Sequence, residues 1–215
     1  MARIFLALSL FALLLLVANL ITALTVGDSG AALQRYVAAR SAWRLIDESP
    51  DASPTDWQVE REHFSQATAA LNQQRKQFWP HVWLGILATL VCLLVNCISV
   101  TYFIGTSRWC REVTEAYAMD PHFVEQSQAL KRRTFPWALA SIVMVLSILV
   151  LGGASDAYSP AVENPAAFVH WHMFAAMLGI VVIGASFLVQ VNAVAANYDI
   201  IKKVVAEANR MRGEG

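Results

Sequence analysis

Charge is scarce in this chain of 215 residues. Asp, Glu, Lys and Arg make up 15% of it, where an ordinary soluble domain carries about 25%. The 16 acidic and 16 basic residues cancel, which leaves no basic footprint for nucleic acid. Cysteine is scarcer still: Cys92, Cys97 and Cys110 are all there is. None of them lies in the polar segments 27–77 or 155–165, so no disulfide framework staples these. No CxxC or Cys/His spacing suggests zinc. The sequence also has no G-x-S-x-G, H-E-x-x-H or P-loop, so hydrolase, metalloprotease and kinase chemistry lack their usual signatures. Internal repeats and low-complexity tracts are missing too.

What is present is mostly apolar, at 57% of the residues. Four segments carry no charge: Ile4 to Val26, Phe78 to Ser107, Thr134 to Ser155 and Asn164 to Tyr198. A hydrocarbon core about 30 Å thick takes roughly 20 helical residues to cross, and each segment supplies them. Lipid also enforces the helix, because backbone polar groups must be satisfied within the segment. The expected fold is an all-α integral membrane protein. Residues 1–215 would form a single four-helix membrane domain with spans at about 4–26, 79–105, 135–153 and 167–195. The first span reads as a signal anchor. Its apolar run is longer than a cleaved signal's core, and no A-x-A site precedes Gly27.

Basic residues set the expected orientation. Arg3, the group Arg108, Arg111 and Lys131 to Arg133, and the tail with Lys202, Lys203, Arg210 and Arg212 would all lie in the cytoplasm. Both termini then lie inside, in a plasma or inner membrane. Segments 27–77 and 155–165 face out. Arg75 and Lys76, close to the second span, run against the rule. Trp79, Trp83 and Trp171 at the outer ends and Trp109 and Trp137 at the inner ends suit two interfacial belts.

The polar segments also read as helical. Residues 28–78 suggest an outer helical hairpin, broken by the "ESPDASP" stretch. Ser53, Pro54 and Asp56 have capping-box spacing for its second helix. Trp57, Phe64, Leu71 and Phe78 recur every seven residues, a stripe that needs one partner. Leu33, Tyr36, Val37 and Trp43 of the preceding helix are available to it. Pro80 should bend the helix at the membrane boundary. On the inner side, a helical segment is expected over 108–133, with Asp120 as a cap and Pro121 opening its second piece. The fourth span should continue as a cytoplasmic helix over 196–213, where Ile201, Val204, Val205, Ala208 and Met211 recur at helical spacing.

Ionisable groups inside a membrane are functional candidates. No Asp, Glu, Lys or Arg falls within any span, which argues against a proton pump or ion-coupled transporter. The amides Asn19, Asn96, Gln190 and Asn192 are expected to tie helices together. Histidine is the remaining candidate. The motif Val169-His170-Trp171-His172-Met173 places two imidazoles in one turn. Residues two apart point about 200° apart on a helix, so the pair cannot grip one ion. His172 shares its face with Ala175, Ala176 and Gly179, small residues that admit a neighbouring helix. His170 belongs with Trp171 at the interface. His81 lies at the same expected depth on the second span, so His81 with His172 is the candidate site. His63 and His122 fall outside the membrane.

The pattern points to a non-enzymatic accessory, scaffold or signal-relaying subunit, with the lipid bilayer and other membrane proteins or itself as partners. That reading needs no cofactor. One alternative is a redox protein holding haem b or a metal between His81 and His172. Another is a small-molecule or lipid carrier with an apolar cavity between its helices.

Overall fold

The computed structural model describes residues 2–26, 29–49, 53–156 and 166–213. Among them the chain forms five helices and no strand. These are α1 (Ala2–Thr25), α2 (Ser29–Asp47), α3 (Pro54–Ala116), α4 (His122–Ala154) and α5 (Ala166–Met211). All but α2 are long and apolar enough to cross a membrane. The expected break at 48–54 and segment 155–165 lie partly outside the described residues.

Local chemistry explains where α3 begins. Ser53 Oγ accepts the Asp56 N–H at 3.2 Å, and the Asp56 carboxylate accepts the Ser53 N–H at 3.1 Å. Each bond satisfies an amide that no helical carbonyl can reach. The Ser53 hydroxyl also donates to Asp56 Oδ2 at 2.7 Å, and this bond, with the one from the Ser53 N–H, holds the Asp56 carboxyl below the usual carboxylate range. From there α3 runs unbroken for 63 residues, roughly 95 Å at 1.5 Å per residue. It passes through Pro80, and α4 likewise passes through Pro136. Each proline deletes one backbone donor without ending its helix. α4 starts at His122, one residue later than Pro121 suggested, with the His122 N–H bonded to Asp120 Oδ1 at 2.9 Å.

α2 packs on the first part of α3 through aromatic rings. Trp43 meets Trp57 edge-on at 5.4 Å and stacks on Phe64 at 6.4 Å, and Tyr36 lies 5.8 Å from Phe64. Such pairs add about 0.5–1.5 kcal/mol beyond the area they bury. Val37 takes no part and is exposed. It follows Tyr36 directly, and a 100° step turns it off the face that Tyr36 presents.

The four long helices bury stripes at spacings of three and four. On α1 these residues are Phe5, Ser9, Ala12 and Leu16. On α3 they include Ala88, Cys92, Val95, Ser99 and Phe103. Large apolar side chains such as Leu14, Leu90, Leu139 and Val181 point outward and are exposed. Water would penalise a surface of this kind, whereas lipid tails match it. Among the described residues, no Asp, Glu, Lys, Arg or His is fully buried. Among the described residues, ion pairs such as Arg44–Glu48 and Arg108–Glu112 join residues three or four apart in sequence.

Amides and hydroxyls hold the interior together. Asn96 Nδ2 donates to Ser141 Oγ at 3.0 Å, and Gln190 Nε2 donates to Asn96 Oδ1 at 3.0 Å. Gln190 also donates to Ser186, whose hydroxyl donates to the Trp137 carbonyl at 2.7 Å. This layer joins α3, α4 and α5. A second layer joins the same helices about 16 Å further along α3, at 1.5 Å per residue from Asn96 to Ser107. There Asn197 accepts from Ser127 at 3.0 Å and donates to Thr106 at 2.9 Å, and Ser127 also meets Ser107 at 3.1 Å. Beyond it lies a small apolar cluster of Cys110, Met119, Ile200, Val204 and Ala208.

One expected tie is corrected. Asn192 is exposed, and Asn197 occupies the tying position instead. Asn197 follows Gln190 by seven residues, nearly two full turns, whereas Asn192 is rotated about 200° away.

Gly179 sets the approach of α5 to α4. A Cβ there would stand 2.4 Å from Ile148 Cδ1 and 3.3 Å from Met144 Cγ. An added methyl would push the Ile148 side chain aside, so a small residue here favours the close packing of these helices.

Candidate functional site

Four antiparallel helices in sequence order necessarily bring four ends together. α1 finishes at Thr25, the apolar part of α3 begins at Phe78, α4 finishes at Ala154 and α5 begins at Ala166. Between these ends lies a cavity of about 230 Å³. A smaller void of about 40 Å³ adjoins it, sharing Leu16, Asn19, His81, Ile148 and His172 as lining.

His81 and His172 meet at this point. Their ring centroids are 6.3 Å apart and their planes are inclined at 72°. His81 Nδ1 lies 3.3 Å from the backbone oxygen of Asn19. A carbonyl can only accept, so Nδ1 carries the proton and Nε2 keeps the lone pair. His172 Nδ1 is buried without a hydrogen-bond partner, and so is Asn19 Oδ1. A buried polar atom left unpaired costs about 1–3 kcal/mol.

Two glycines make room for these side chains. A Cβ on Gly152 would stand 3.0 Å from His172 Cε1, and one on Gly85 would stand 3.0 Å from Asn19 Nδ2. Elsewhere the wall is mainly apolar, with Phe78, Val82, Ile86, Val145 and Leu149. Thr89, Ser155 and Asp156 supply further polar groups, and Asp156 is already engaged with other atoms of the chain.

The other histidines lie apart from the cavity lining and are exposed. His63 stands 4.0 Å from Glu60, and His122 pairs with Gln126 at 2.8 Å. His170 points away from its near neighbour His172. Trp79, Trp83, Trp109, Trp137 and Trp171 also face outward. Cys110 is fully buried, and that burial pushes its thiol up, against a weaker opposing bond from Ser127. A reactive cysteine needs the opposite shift.

The donor set does not suit a closed metal site. Among the described residues no three His, Cys, Asp or Glu side chains come close enough to share an ion, where a structural zinc takes four ligands. His81 and His172 are the two imidazoles here that could hold a haem from different helices.

Asn19, Gly85 and Gly152 belong to the site although the spacing of residues did not place them there. From the sequence Asn19 looks like a helix tie, and the two glycines carry no side chain to mark them. Their depth was the available signal. Each lies within about two turns of one end of its charge-free segment.

The chain matches no protein-family model, no curated protein and no solved structure.

Proposed function

We propose that this chain is a multi-pass membrane protein without chemistry of its own, acting as a relay or accessory subunit that joins partners on the two sides of the bilayer. One observation carries the reading: α3 is the single rod on which every other helix packs. α2 has its substantial contacts with α3 alone. Apart from the chain link to α1, a force on α2 therefore reaches the remaining helices by way of α3. At its far end α3 meets the Cys110, Met119, Ile200, Val204 and Ala208 cluster, so the rod leads from one polar layer to the other.

The orientation rests on charge. Ten of the 16 Lys and Arg residues lie at the end that holds both termini, which assigns that end to the cytoplasm of a plasma or inner membrane. On this reading α2 with the first part of α3 is an outer hairpin. The start of α4 and the end of α5 are then cytoplasmic extensions.

The test loosens one end and watches the other. Trp43→Ala removes two of the aromatic contacts between α2 and α3. Hydrogen exchange in lipid nanodiscs should then rise at 110–119 and 200–208 as well as in α2. A rise confined to α2 and residues 54–78 refutes the relay. Gentle extraction with cross-linking checks the partner. An isolated monomer, found repeatedly, refutes the accessory role.

A further inference from the structure

We infer that the cavity between His81 and His172 is a binding site for a neutral, ring-sized molecule carrying a hydroxyl group, of the phenol or hydroquinone class. The inference stands apart from the relay, since it rests on the cavity alone.

Size comes first. An apolar cavity of roughly 150 Å³ holds benzene, so about 230 Å³ holds a six-membered ring with one or two small polar substituents. The mainly apolar wall favours such a ring over a sugar or an amino acid, whose many polar groups would lack partners.

Polarity comes second. Asn19 Oδ1 can only accept, and it has no donor. The His172 Nδ1 atom is likewise buried and unpaired, and it is a further acceptor in the tautomer that carries its proton on Nε2. In the His81 ring the lone pair is left on Nε2. The cavity thus offers acceptors in want of a proton donor. A phenolic O–H supplies that donor and remains neutral near pH 7, as a side chain of this type does with pKa about 10.

Charge comes third. An ammonium ligand would also donate, but burying it would require a free counter-charge. Asp156 is the only carboxylate among the lining residues, and it is occupied elsewhere. Gly85 and Gly152 complete the case, because a Cβ at either would press on Asn19 or His172.

The chemistry has two sources, a soluble phenol or the headgroup of a lipid-tailed quinol within the bilayer. Full-length protein in nanodiscs, with its histidine rings labelled with ¹⁵N, tests the site against hydroquinone, toluene and benzylamine. Hydroquinone should bind saturably and shift the His81 and His172 ring signals. Asn19→Leu should weaken that binding about tenfold, the loss of one buried hydrogen bond, with toluene binding unchanged. If Asn19→Leu fails to fold, His172→Phe is read by the same criterion. The inference is overturned by toluene binding as tightly as hydroquinone, by benzylamine binding more tightly, or by no saturable binding of hydroquinone. It is also overturned if the folded variant keeps full affinity. Decylhydroquinone separates the sources. Tighter binding than hydroquinone, after correction for partition into lipid, supports the site with a bilayer ligand. Equal or weaker binding supports it with a soluble one.

Discussion

Replacing Asn96 by alanine removes two bonds between helices at once. Its amide donates to Ser141 on α4, and its carbonyl accepts from Gln190 on α5. Hydrogen bonds between membrane helices average about 0.6 kcal/mol each, so the direct loss is about 1.2 kcal/mol. Asn96 is fully buried, and the space it leaves adds a packing cost. The sum expected for Asn96→Ala is about 2 kcal/mol. Gln190 Nε2 keeps its bond to Ser186, which limits the further penalty. Asn192 is the internal control. It lies two residues from Gln190 on the same helix but is exposed, so Asn192→Ala should stay within about 0.5 kcal/mol. The assay is reversible unfolding in mixed micelles, titrated with a denaturing detergent. A double-mutant cycle of Asn96→Ala with Gln190→Ala isolates the pair, with an expected coupling near 0.6 kcal/mol and no more than about 1.7. Equal costs for Asn96→Ala and Asn192→Ala, or strict additivity in the cycle, would refute the placement of the central layer.

Gly179→Ala should destabilise the bundle by about 1–3 kcal/mol, a typical cost of overpacking. Adding Ile148→Ala should recover part of that loss, because Ile148 Cδ1 is the atom that the new methyl meets. A Gly179→Ala protein as stable as the parent argues against the close approach of α4 and α5. Ser53→Ala should cost about 1 kcal/mol at the start of α3, as lost N-caps do, read as faster amide exchange over 53–57. The same amides report on pH. The Asp56 carboxyl lies below its ordinary range in the folded chain, so its contribution is complete above that range. It is lost as pH falls through the folded value. Exchange there, corrected for its intrinsic pH dependence, should rise in acid and stay level through neutral pH. A protection loss near pH 6–7 would point to another group.

How much of the candidate site was legible depended on geometry within one helix. The 100° step separated His170 from His172 and sent His172 toward the interior, and the two are now found exposed and partly buried respectively. The same step separates Gln190 from Asn192, so the two face opposite sides of α5, one buried and one exposed. His81 and His172 shared a depth in the sequence, but depth does not give a distance. Their 6.3 Å approach follows from how α3, α4 and α5 turn about their axes. Gly152, which admits the His172 ring, carries no side chain to signal a role.

By itself the sequence determined that the chain is helical, with four segments long and apolar enough to cross a membrane. Long charge-free runs leave the backbone no other way to satisfy its polar groups. It also determined the start of α3, since a cap is written in four adjacent residues. Only the tertiary structure decided which polar residues face one another, which glycines let helices close in, and where space remained. These depend on the rotation and offset of packed helices, which summed contacts across the whole bundle set and no single segment encodes. The cavity beside His172 is a product of that packing.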